Sequence, residues 1–248
     1  MKFDSDPNSV YHSTTVTASL FRILARSCAL TLAASCSNPK PADTPATTPP
    51  TQRSSSGETV QQGTQRGSLA PFASEALIVL PAQRLRASVS DWAAKVRDEK
   101  SYLSTIDDEI AFAIRERGLK GQWAFPADLA RAAKRNPGYT ADPYNVAVGA
   151  LAAVERDPEK IIGEPLGSQL RAFGGLFNAR YALIPVEVRL SPDSSGGRAS
   201  VHLAVADTRA SRLAWKGDVS GDGARTFTPA VAAGLAGRVA DLFFTPAR

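Results

Sequence analysis

The last third of the chain sets the tightest limit on its fold, because three successive segments there alternate apolar and polar residues with a period of two. Arg180 to Leu190 puts Ile184, Val186, Val188 and Leu190 on one side and Glu187 and Arg189 on the other. Ala199 to Ala206 repeats the pattern, with Val201, Leu203 and Val205 inward and His202 outward. Arg212 to Val219 does so again, with Leu213 and Trp215 sharing a face. Strand side chains point alternately to the two sheet faces, so each run reads as a strand with one face buried. Turn-forming residues over Ser191–Gly197 and Asp207–Ser211 join the three into an antiparallel meander. Thr228-Pro229 then opens a helix whose Val231, Leu235, Val239 and Leu242 form an apolar stripe.

Upstream, Glu75–Pro81 is a short continuous apolar run, expected as a strand buried on both faces. Ala82–Tyr102 is expected as a loop with one helical turn. Ser104 or Thr105 is the expected N-cap of a helix ending at Gly118, with Asp107, Asp108 and Glu109 in the first turn, where the helix dipole favours negative charge. A short strand is expected over Gly121–Pro126 and a short helix over Asp128–Arg135. Further helices are expected over Pro143–Glu155 and over Glu164–Asn178, the latter carrying Leu166, Leu170, Phe173 and Phe177 on one face. This order predicts an α/β (α+β) domain over residues 69–248: one mixed sheet of about five strands with helices packed on it.

The first 36 residues read as an export signal. Arg22 and Arg26 precede a short apolar stretch, Cys28 to Ala34, and small residues Ala33, Ala34 and Ser35 then lead to Cys36. The run resembles a bacterial lipobox, which implies cleavage before Cys36 and a diacylated, palmitate-type anchor on it. Leu32 sits one place further upstream than that pattern usually has it. Ser37 follows the cysteine where inner-membrane retention would use aspartate, and this implies the outer membrane. Residues 37–68 are rich in Pro, Thr, Ser and Gln and carry too little apolar surface to fold, so they are expected as a disordered tether.

Composition narrows the chemistry. Both cysteines lie in the signal, so a disulfide framework or a thiolate site is excluded downstream. The net charge of +5 permits anionic partners, but the basic residues are scattered among Asp and Glu, and no nucleic-acid partner is expected. His202 is the sole histidine after the signal, and it is expected to face solvent. No nucleophile elbow is present, Gly174-Gly175 is no phosphate-binding fingerprint, and Gly217–Gly223 reads as a turn, not a calcium loop. No catalytic residues, metal or cofactor are therefore expected. The alternative, an exported hydrolase of wall polymer or lipid, would need two carboxyl groups roughly 5–9.5 Å apart across a groove.

Four segments carry a resemblance. Leu166–Gly174, Ala-Arg-Tyr-Ala-Leu-Ile-Pro-Val from Ala179, Val201–Asp207 and Leu213-Ala-Trp-Lys-Gly217 resemble a group of bacterial envelope domains. That group includes the periplasmic domain of the curli secretion lipoprotein CsgG, the N-terminal domain of TolB and the lipoprotein LpoB. The resemblance implies a non-catalytic, lipid-anchored accessory role in envelope assembly, secretion or cell-wall synthesis, with an envelope protein or a second copy as partner. The matching residues have structural roles: Asp207 is expected to cap a turn and Trp215 to pack under the last helix. Neither CsgG-like pore-forming segments nor a TolB-like propeller is expected. Ala233, Gly234 and Gly237, small residues off the stripe of the last helix, are a candidate interface, since they let another surface approach closely.

Overall fold

A computed structural model describes residues 68–118 and 121–244. The domain is α+β, one open mixed sheet with helices on it. In chain order the elements are β1 (Leu77–Val79), β2 (Leu85–Ala87), α1 (Ser90–Lys95), α2 (Glu99–Glu116), β3 (Trp123–Ala124) and α3 (Pro126–Arg135). They continue with α4 (Leu151–Arg156), α5 (Leu166–Phe177), β4 (Tyr181–Asp193), β5 (Gly196–Asp207), β6 (Arg212–Ala224) and α6 (Pro229–Phe244). The sheet order is β3-β1-β4-β5-β6, and β2 also pairs with β4.

β1 lies between β3 and β4, parallel to both, and all three of its residues are buried. β2 then continues along the same edge of β4, also in parallel, with Leu85 opposite Val188. Ala82–Tyr102, expected as a loop, therefore holds this sixth strand, α1 and the start of α2. The missed strand is three residues long, and its partner is a hundred residues away.

β4 carries a bulge between Pro185 and Glu187. One extra residue inverts the side-chain parity. Ile184 and Val186 thus belong to the core on one face with α3, α4 and α5, while Val188 and Leu190 join the other core with α2 and α6. The four residues do not share one face, as the alternation suggested. A second irregularity, between Val205 and Ala206, pairs them with Trp215 and Leu213 across β6 and separates those two in the same way. Strands also extend into two of the three expected turns: β4 reaches Asp193 and β5 begins at Gly196, which leaves Ser194 and Ser195 as the turn, and β6 includes Gly217–Gly223.

The N-cap of α2 is Asp98, whose carboxylate accepts the Lys100 and Ser101 N–H groups at 3.2 Å. Ser104 and Thr105 are inside the helix, and Asp107 lies in its third turn, beyond the reach of a dipole argument. The Pro143–Glu155 helix is instead two 3-10 turns followed by α4. On α6, Val231, Leu235 and Val239 are buried; Leu242 is half-buried, and Phe243 completes the stripe.

Candidate functional site

Half of one sheet face lies beyond the helix layer. The core under α3, α4 and α5 ends at Val186, Ala204 and Leu213. Further along the strands the same face carries Glu187, Arg189, Ser200, His202, Asp218 and Ser220, in rows fixed by the pairings Glu187↔His202↔Asp218 and Arg189↔Ser200↔Ser220. Arg86 extends the second row from β2, opposite Arg189. Apolar β2 residue Leu85 packs into the other core, which leaves exposed Arg84 and Arg86 on this face. The result is a polar platform four strands wide, held rigid by backbone hydrogen bonds.

His202 stands at its border. Nε2 is 2.9 Å from Glu155 Oε1 on α4, and Nδ1 is 3.0 Å from Asp218 Oδ1. Its side chain is 16% exposed, so the solvent-facing assignment is corrected: α4 reaches over the strand and covers it. With a carboxylate at each ring nitrogen, neither is left to activate a nucleophile. Glu187, held below its usual range by the Arg189 guanidinium, links the histidine row to the arginine row.

At the opposite end of the strands, Asp207 Oδ1 accepts the N–H groups of Arg209 and Ala210, both at 2.9 Å, and Oδ2 accepts Arg180 Nε at 2.9 Å. Burial works to raise this carboxyl, but the bonds from Ala210, Arg180 and Arg209 outweigh it and hold the pKa below the usual range. Trp215 is buried in the same core as Leu235 and Val239 of α6. The chain joins the domain at this end. Leu69 N–H donates to Leu242 O at 2.8 Å, and the Phe72 and Tyr181 rings meet edge to face at 4.9 Å.

A concave region lies beside β2, a cleft of about 830 Å³ lined by Gln83, Asp98, Glu99, Leu103, Asp142 and Tyr144 among others. Behind it is Asp107, 5% exposed, whose Oδ1 accepts the Ala82 N–H at 2.8 Å. Its Oδ2 is enclosed and accepts no hydrogen bond from a described residue. Burial pushes this carboxyl up to about 8, partly offset by the Ala82 bond, with Asp108 adding repulsion. Sequence reasoning assigned Asp107 to the first turn of the helix, on the dipole argument. Its place among Leu103, Ile106 and Ile110 on the buried stripe of α2 is the signal that could have found it. Among the described residues no group of three His, Cys, Asp or Glu side chains is placed to hold a metal ion, and no helix is long and apolar enough to span a membrane.

The small residues of α6 divide. Ala233 and Gly234 are exposed, and a Cβ on Gly234 would meet nothing within 4 Å. Gly237 is covered within the monomer: its carbonyl accepts Arg117 Nη2 at 3.0 Å, while Arg117 Nε donates to Asp241 Oδ1 at 2.9 Å. Cys36 and all of the tether but Ser68 lie outside the described residues.

No protein-family model and no curated protein matches the chain. Among solved structures it is similar to the LpoB C-terminal domain from Salmonella enterica, at 12% identity and a TM-score of 0.35, covering 63% of this chain and 96% of that one. It is similar to the PelC dodecamer from Paraburkholderia phytofirmans, at 14% identity and a TM-score of 0.35, covering 73% and 94%. It is also similar to lipoprotein GNA1162 from Neisseria meningitidis, at 13% identity and a TM-score of 0.34, covering 69% and 97%. At these TM-scores the likenesses assign neither a family nor a function.

Proposed function

We propose that the chain is an exported envelope lipoprotein, anchored through Cys36 in the outer membrane, whose α+β domain is a non-catalytic binding and assembly module. The observation that carries this reading is the platform formed by Arg86, Arg189, Ser200, Ser220 and the histidine row. It is polar and built on paired strands, and it lies at the other end of the strands from Leu69, where the chain joins the domain. From Tyr181 to Arg189 the backbone runs about 25 Å at some 3.3 Å per residue. Hydrolysis has less support: the Asp107 carboxyl is enclosed, and the cleft carboxylates Asp98, Glu99 and Asp142 are each engaged by backbone N–H groups.

The test replaces Cys36 with Ser and follows the protein by fractionation. The expected outcome is movement from the outer-membrane fraction to the soluble exported fraction. Retention of the variant in the membrane fraction would overturn the anchor. A photo-crosslinker at Arg86 or Ser220, run beside one at Lys134 on α3, tests the platform: a discrete adduct from the first two and none from the third is expected.

A further inference from the structure

β2 has an open edge. In its pairing with β4, Val188 N–H donates to Arg84 O and Ser88 N–H to Leu190 O, both at 2.8 Å. Residues 84, 86 and 88 thus turn their backbone groups inward, and Leu85 and Ala87 turn theirs outward. The outward Leu85 N–H is already met by a carboxylate, Glu99 Oε1 at 3.0 Å. Ala87 is exposed, and no described residue accepts its N–H. An unpaired edge of this kind accepts an extended chain.

The acidic cleft lies directly beside that edge. Asp98, Glu99 and Asp142 line it, and among the described residues none of them has a basic side chain within salt-bridge distance. Lys100 is the basic residue in the lining. Tyr144, 47% exposed, also lines it, its hydroxyl raised by burial and by the carboxyls of Asp107, Asp108 and Asp142. Asp107 backs the wall. Its Oδ1 holds Ala82, and Leu103 and Ser104, one turn earlier on α2, are lining residues toward which a helical side chain leans. Negative charge thus gathers on the cleft side of this edge, while Arg84 and Arg86 of β2 lie on the platform face.

We propose that this edge docks an extended segment of a partner protein bearing lysine or arginine, added as a strand beside β2 with its basic side chains in the Asp98–Glu99–Asp142 cleft. The shortness of β2 limits the main-chain hydrogen bonds to two or three, so charge supplies the selectivity. The Tyr144 ring offers a face to an arriving cation. This site shares β2 with the platform but uses the outer edge of that strand, and it holds whether or not the chain is lipid-anchored.

The test titrates the full chain with a capped peptide, Lys-Val-Lys-Val-Lys, by calorimetry. Its counterpart with glutamate for lysine and a version N-methylated at both valines are run in parallel. Binding of the first peptide alone is expected, with slowed hydrogen exchange at the Ala87 amide. Asp142→Asn and Glu99→Gln retain an acceptor for the Tyr144 and Leu85 N–H groups, so the fold is kept while charge is removed. Each is expected to weaken binding about two- to fivefold, as exposed ion pairs do. Equal binding of the glutamate or N-methylated peptide, unchanged affinity in both variants, or no binding at about 1 mM peptide would overturn the proposal. A dimer that the lysine peptide dissociates would assign the edge to a second copy and overturn the choice of partner. Fractionation of the Cys36→Ser variant is indifferent to all of these outcomes.

Discussion

Asp107 Oδ1 accepts the Ala82 N–H at 2.8 Å across 25 residues of sequence, joining the third turn of α2 to the crossover between β1 and β2. The carboxyl is pushed up to about 8 in the folded protein, from an ordinary value of 3.8. At any pH between these values the unfolded chain has lost a proton that the folded chain retains. Its contribution to stability is therefore complete below about pH 4 and falls as pH rises, at up to about 1.4 kcal/mol per pH unit, until the folded group also ionises near pH 8. Asp107→Asn should flatten this dependence. Urea unfolding at several pH values between these limits measures it, and an unchanged slope in the variant would place the dependence on another group.

His202 ties α4 to the sheet through Glu155 and to β6 through Asp218. A solvent-facing strand histidine would be worth under about 0.5 kcal/mol. Held between two carboxylates and mostly covered, it should cost about 1–2 kcal/mol when replaced by alanine. A double-mutant cycle with Glu155→Ala should give a coupling of at least about 0.5 kcal/mol. Strict additivity in denaturant midpoints would mean that the contact contributes nothing.

The sequence pattern located β4, β5, β6 and α6 because each buries a regular stripe. It failed where regularity stops. Val186 is one residue too many for β4, so the parity read at Ile184 was carried wrongly to Val188 and Leu190. β2 went unseen because Leu85 alone of its residues packs into the core, and three residues cannot display a period. The N-cap of α2 was misplaced because Asp98, Ser104 and Thr105 are all competent caps. The choice of Asp98 rests on burial of Leu103 and on the Trp92–Phe227–Tyr102 ring cluster, which are tertiary facts. The His202 site was not legible for the same reason, since Glu155 is 47 residues away.

Trp215 and Leu213 are adjacent in the strand pattern but lie in different cores. Trp215→Ala empties a buried site beneath α6 and should cost about 3–5 kcal/mol. Leu213→Ala, at a half-buried position, should cost about 1–2 kcal/mol. The two penalties should add, because the side chains share no neighbours across the sheet. Chemical denaturation of the two single variants and the double variant checks this; a large non-additive term would contradict the separation of the faces by the β5–β6 irregularity.

The small-residue strip of α6 can be resolved into its two halves. A side chain at Gly234 meets nothing, so Gly234→Ala should raise stability by about 1 kcal/mol through helix propensity alone. Gly237→Glu should lower it, because the new carboxylate lies where Arg117 spans the Gly237 carbonyl and Asp241, and drawing that guanidinium away would break both contacts. Ala233→Glu should leave the melting temperature unchanged, as an exposed helix position does. If copies of the chain or an envelope partner pack on this strip, Ala233→Glu should also lower the assembly mass seen by light scattering. Melting and mass then separate the two roles: a fall in melting temperature at Ala233 would make it part of the monomer core, whereas a fall in mass at constant melting temperature would mark the exposed half, Ala233 and Gly234, as the assembly face.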